Sequence, residues 1–161
     1  MPEVFIGVGS NIDRENNIRS GLAAMATEFG ELELSPVYCS EAVGFRGDSF
    51  LNLVARFTTE LSVAVLSQRL RAIEKQHGRR DDVSKFSSRT LDLDILLYGD
   101  ANGEIDGVVL PREEVVYNAF VLRPLADLAP DLKHPRLGKT FAVLWGELSA
   151  RTEQRLEPVR L

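Results

Sequence analysis

Apolar positions along the chain change period several times, and each change marks an element. Glu3 to Val8 is a short, nearly continuous apolar run closed by Gly9-Ser10-Asn11, the pattern of a buried strand. From Arg14 to Glu28 the spacing becomes helical, with Ile18, Leu22, Met25 and Phe29 on one face. Glu31 to Cys39 alternates as a second strand, and Glu41 to Ser49, with two glycines and mixed polarity, reads as a loop. Phe50 to Leu61 is a third strand with informative parity. Leu51, Leu53, Ala55 and Phe57 share one face, while Phe50, Asn52, Val54 and Arg56 share the other. Ser62 is placed to cap a helix running to about His77, with Leu66, Leu70 and Ile73 inward and Gly78 ending it.

Arg79 to Ser88 is polar and reads as a loop, and Arg89 to Tyr98 is the clearest strand of the chain. Gly99 to Gly107 is expected as a hairpin connection, with Val108 to Leu110 returning as a strand. Helices follow at Ala119 to Ala126 and Thr140 to Ser149. The order βαββαβ predicts an α+β, ferredoxin-like fold: an antiparallel sheet flanked by helices, with extra C-terminal helices. No repeat, low-complexity tract or linker divides residues 1–161, so a single domain is expected.

Composition narrows the setting. With 44% hydrophobic and 27% charged residues the chain is globular rather than disordered. No apolar run is long enough to span a bilayer, and the start lacks a basic segment followed by an apolar one. A lone cysteine, Cys39, cannot form an internal disulfide, which points to a reducing, cytoplasmic setting and a packed thiol. The expected assembly is a monomer or weak dimer without a membrane partner. A net charge of −5 argues against general nucleic-acid binding. The charge is uneven, though: from Arg69 to Arg89 there are seven basic and three acidic residues. Such a patch beside acidic ligands suits a small polyanion, whereas alone it is an ordinary solvated helix end.

Arg89-Thr90-Leu91-Asp92-Leu93-Asp94 carries the candidate chemistry. On a strand, Asp92 and Asp94 project from one face about 6.6 Å apart, and Leu91, Leu93 and Ile95 fill the other. Two carboxylates on an apolar strand repel each other and lose hydration, a penalty that a shared divalent cation removes. Without a cation, the same pattern would be a charged face that discourages edge pairing. Arg89 and Arg79 flank the pair and could fork onto phosphate oxygens. No glycine-rich phosphate loop is present.

Gly9-Ser10-Asn11, Phe50-Leu51-Asn52, Ile73-Glu74 with Gly78-Arg79, and Arg89-Thr90-Leu91-Asp92-Leu93-Asp94 together resemble the 6-hydroxymethyl-7,8-dihydropterin pyrophosphokinase family of folate biosynthesis. Ala119-Phe120-Val121-Leu122, Pro124-Leu125 and Leu128-Ala129-Pro130 continue the likeness in the same order. The resemblance implies diphosphate transfer from ATP to the hydroxyl of the pterin, with AMP released. It implies two Mg²⁺ ions on Asp92 and Asp94, and Glu74, Arg79 and Arg89 as ATP or phosphate contacts. It also implies a pterin pocket of Ser40, Val43, Phe50, Asn52 and Phe120, with the ring between Phe50 and Phe120. Phe86 stands where close relatives carry a loop tryptophan. Judged alone, Phe50 and Phe120 could be core residues and Asn52 could satisfy a neighbouring backbone group.

Two departures from the family pattern are visible. Pro111-Arg112 replaces the usual Pro-His, and Asn118 stands where an arginine is common. Arg112 keeps a cation that could reach ATP phosphates from a shifted position; Asn118 cannot. A catalytically weakened pterin or nucleotide binder, or a phosphotransferase with another acceptor, therefore stays open as an alternative. His77 and His134 are not required by the transfer, and the loops at Glu41 to Ser49 and Arg79 to Ser88 are natural lids.

Overall fold

A computed structural model of the chain describes residues 1–40, 49–78 and 90–161. The sheet is antiparallel. Strands β1 (Glu3–Ser10), β2 (Glu33–Leu34), β3 (Val37–Ser40), β4 (Phe50–Thr58) and β5 (Asp92–Tyr98) alternate with helices α1 (Arg14–Phe29) and α2 (Val63–Gln76). A short ribbon of β6 (Gly103–Ile105) and β7 (Val108–Leu110) follows, then a 3₁₀ turn at Glu113–Val116. Helices α3 (Ala119–Leu128) and α4 (Phe141–Ser149) and strand β8 (Leu156–Val159) end the chain. The sheet order is β5-β1-β4-β3-β8, with β2 also on β4. Its first four members form the ferredoxin-like arrangement expected from the βαββαβ order.

The sheet has two apolar faces because its strands alternate apolar residues on both sides. Val4, Ile6, Val8, Leu51, Leu53, Ala55, Leu93 and Ile95 pack on α1 and α2 through Ile18, Met25, Leu66, Leu70 and Ile73. Phe5, Val54, Leu96 and Leu97 pack on α3 and α4 through Leu122, Leu125, Phe141 and Leu144. A bulge at Leu96 lets both Leu96 and Leu97 reach that second core. Gly21 permits the close approach of α1 to the start of β5: a Cβ there would lie 2.8 Å from Leu91 Cδ2. The expected caps are present, with Ser62 accepting from Val65 N and Gly78 at φ 86° closing α2.

Three expectations need correction. The single strand over 31–39 is two pieces. Pro36 has no N–H to donate, and Ser35 takes over the ladder there, its N–H donating to Val54 O and its Oγ accepting from Val54 N. Val108–Leu110 is a strand as expected, but its partner Gly103–Ile105 lies within the segment expected as a plain connection, and the two form a ribbon apart from the main sheet. The C-terminal strand β8 was not foreseen, because Leu-Glu-Pro-Val is too short and too broken by proline to show a period.

Candidate active site

Burial of Leu91, Leu93 and Ile95 in the first core turns Asp92 and Asp94 to the second face. Register then builds the site across three strands. Asp92 stands opposite Gly9 and Asp94 opposite Gly7 on β1. On the other side of β1, Gly9 stands opposite Asn52 and Gly7 opposite Val54. Between the carboxylates and Asn52 the sheet therefore carries no side chain at Gly7 or Gly9, leaving a trough about 10 Å across from β5 to β4. Its floor is tight, since a Cβ on Gly9 would lie 2.8 Å from Asn52 Oδ1.

Asn52 Nδ2 donates to Ser40 Oγ at 3.0 Å, and Ser40 pairs with Phe50 across β3 and β4. Phe50 and Asn52 share the face of Val54, the residue that packs on α3. Phe120, half-buried, is the second residue of α3. Ser40, Phe50 and Asn52 are thus brought together. Val43, Arg79, Phe86 and Arg89, and most of both expected lid loops, lie outside the described residues.

Asp92 and Asp94 share one face of β5, and their charges oppose each other. Burial, and then the charge of Asp92, push the Asp94 carboxyl well above the usual carboxylate range, with Arg112 pulling it partly back. Arg112 Nη2 lies 3.7 Å from Asp94 Oδ1 and 3.0 Å from Glu114 Oε1. Burial works to lower the Arg112 pKa, but Asp94 and Glu114 outweigh it and hold the guanidinium more firmly protonated than usual. Glu74, expected as an ATP contact, is only 4% exposed, and its Oε2 accepts the N–H of Leu93, between the two aspartates.

Residues 5–130 match the family described as 7,8-dihydro-6-hydroxymethylpterin-pyrophosphokinase. The chain belongs to this family. The 2-amino-4-hydroxy-6-hydroxymethyldihydropteridine pyrophosphokinase of Synechocystis sp. is 38% identical over 142 residues, covering 86% of this chain and 72% of that protein. Its Pseudomonas aeruginosa counterpart is 38% identical over 139 residues, covering 84% and 85%. Among solved structures, Plasmodium falciparum HPPK-DHPS wild type with SDX-DHP superposes with a TM-score of 0.73 at 12% identity, a likeness of fold. It covers 94% of this chain and 44% of that longer one.

Around this trough, several supporting residues escaped the sequence reading. Ser10 Oγ donates to Thr90 O at 2.6 Å and so fixes the start of β5. Arg14 Nη1 donates to Ser49 Oγ at 2.7 Å and to Ser49 O at 3.0 Å, gripping the chain just before Phe50. Tyr38, opposite Asn52, donates its hydroxyl to Asp127 on α3, and Arg123 stacks 4.6 Å above its ring. No local spacing announces such long-range partners. Among the described residues no helix is long and apolar enough to cross a membrane.

Proposed function

We infer that this chain transfers the terminal diphosphate of ATP to the hydroxyl of 6-hydroxymethyl-7,8-dihydropterin and releases AMP. As a member of its family it is a pyrophosphokinase of folate biosynthesis. The observation that carries the residue roles is the trough over Gly7 and Gly9, with two carboxylates on one wall and Asn52 on the other.

Asp92 and Asp94 would hold Mg²⁺, in the family arrangement two ions bound with ATP. Their fit rests on two carboxylates projecting from one face of β5, where burial first and the Asp92 charge second raise the Asp94 carboxyl. Among the described residues no group of three or more metal-ligating side chains is found, so phosphate oxygens would complete the coordination. The ions would neutralise charge on the triphosphate while it is attacked. Arg112 supplies a guanidinium beside Asp94, and Arg79 and Arg89 add phosphate contacts from their flanking positions. Glu74 supports β5 through the Leu93 N–H, and from that position it contacts ATP in this reading.

Phe50, Phe120, Asn52, Ser40 and Val43 form the pterin pocket. Asn52, already held by Ser40, presents the rest of its amide to the polar edge of the ring. The hydroxymethyl oxygen then lies in line with the β-phosphorus, and positioning supplies most of the rate. We place the chain in the cytoplasm, as one domain over 1–161 acting as a monomer or weak dimer.

With ATP, the pterin and Mg²⁺ all present, AMP and pterin diphosphate should form in equal amounts, and neither without the pterin. Binding of both ligands with no AMP formed would mark a non-catalytic binder instead. Phe120→Ala should weaken pterin binding by about 1–3 kcal/mol if the ring stacks as nucleobases do, with ATP binding nearly unchanged. Equal losses for both ligands by calorimetry would make Phe120 a core residue. Gly9→Ala should displace the Asn52 amide and raise the pterin KM about tenfold, taking one lost hydrogen bond as about 1 kcal/mol and a tilted ring besides. A normal pterin KM in that variant would remove Asn52 from the pocket.

A further inference from the structure

One carboxylate joins the two ends of the site. Glu114 Oε1 accepts from Arg112 Nε at 3.2 Å and Nη2 at 3.0 Å, and Oε2 accepts from Asn118 Nδ2 at 3.0 Å. Asn118 is the N-cap residue of α3, two positions before Phe120, yet its side chain makes no cap bond. Both departures from the family pattern are thus partners of Glu114. The backbone holds this corner in place, with Arg112 N donating to Leu96 O at 2.9 Å and Asn118 N to Glu114 O at 3.0 Å.

Arg112 has a second carboxylate within reach. Asp94 Oδ1 is 3.7 Å from Nη2, beyond a hydrogen bond, while Glu114 has the short contacts. Two carboxylates compete for one guanidinium, and Glu114 prevails. Were Arg112 to close on Asp94, a cation reaching that aspartate would first have to displace an ion pair whose strength rises as the distance falls.

We propose that Glu114 is a positioning residue: it holds Arg112 short of a closed ion pair with Asp94, leaving that aspartate available to a divalent cation, a role that rests on the Asp94 assignment above. The charge-assisted bonds from Nε and Nη2 fix the plane of the guanidinium. Nη1 takes no part in them and remains on hand for a phosphate oxygen. Loss of the Glu114 charge removes the competitor, and Arg112 moves onto Asp94.

The test uses wild type, Glu114→Gln, Arg112→Ala and the double variant. Calorimetry follows binding of an ATP analogue with an uncleavable α–β bridge as Mg²⁺ is varied. Glu114→Gln should need about tenfold more Mg²⁺ for half-maximal binding, the scale of one charged hydrogen bond. Its kcat should fall at low Mg²⁺ and recover at high Mg²⁺, with the pterin KM unchanged. In the Arg112→Ala background the same substitution should change nothing, because Glu114 acts through Arg112. An unchanged Mg²⁺ requirement in Glu114→Gln, or an undiminished effect without Arg112, overturns the proposal. If Gln disturbs folding, Glu114→Asp, which keeps the charge but shortens its reach, should raise the requirement by a smaller factor; no rise there overturns the proposal too. Failure of the wild type to make pterin diphosphate would instead count against the function, and the binding titration would still read out Glu114.

Discussion

Asp94→Asn and Asp92→Asn should each abolish turnover while leaving the protein folded. A neutral amide is a poor ligand for a hard cation, and losing several kcal/mol of charge stabilisation corresponds to about three decades of kcat or more. Stability should move the other way for Asp94. Its folded-state carboxyl holds a proton to higher pH than the unfolded chain does, so metal-free protein loses stability as pH rises from the ordinary carboxylate range through the folded pKa. Asp94→Asn removes that loss. In chelator at neutral pH its Tm should exceed that of wild type, and added Mg²⁺ with ATP should no longer raise it. Full activity in a folded variant at ordinary Mg²⁺ would remove the metal assignment. A lower Tm would show that Asp94 serves chiefly as a partner for Arg112.

Arg112→Ala should reduce kcat by about one to two decades, the equivalent of one charged hydrogen bond of roughly 1.5–3 kcal/mol made in the transition state. The sequence leaves two accounts of the departures open: either a phosphate contact is missing at Asn118, or Arg112 has taken it over. The 3.7 Å approach of Arg112 to Asp94 favours the second. Asn118→Arg should therefore gain nothing, and should lose activity by competing with Arg112 for Glu114. Single-turnover kinetics separate the outcomes, because a faster chemical step in Asn118→Arg would restore the first account.

Much of the fold was legible because burial imposes a period. The parity of Leu51 to Phe57, the Ser62 cap and the Gly78 stop follow from local geometry, and local geometry can be read from spacing. The two-aspartate strand could be read the same way, since Leu91, Leu93 and Ile95 settle which face the carboxylates take. What stayed hidden depends on register between distant segments. Gly9 is an ordinary turn glycine until Asn52 is found beside it. Glu74 reads as an ATP contact alone until Leu93 is found donating to it. Glu114 carries no signal beyond an acidic pair before an apolar one, and its meaning comes only from Arg112 and Asn118 closing around it.

The contact between Glu74 and Leu93 also bears on how molecules of this protein meet one another. Among the described residues β5 is an outermost strand of the sheet and pairs only with β1, so its outer backbone groups are the natural template for a strand from another chain. The Leu93 N–H is one of the donors such a strand would need, and a buried carboxylate from α2 already occupies it. An incoming strand would have to displace that carboxylate and leave it buried without its donor. α2 thereby works as a guard rail along the edge that carries Asp92 and Asp94: it turns away stray β-pairing there by chemistry rather than by bulk.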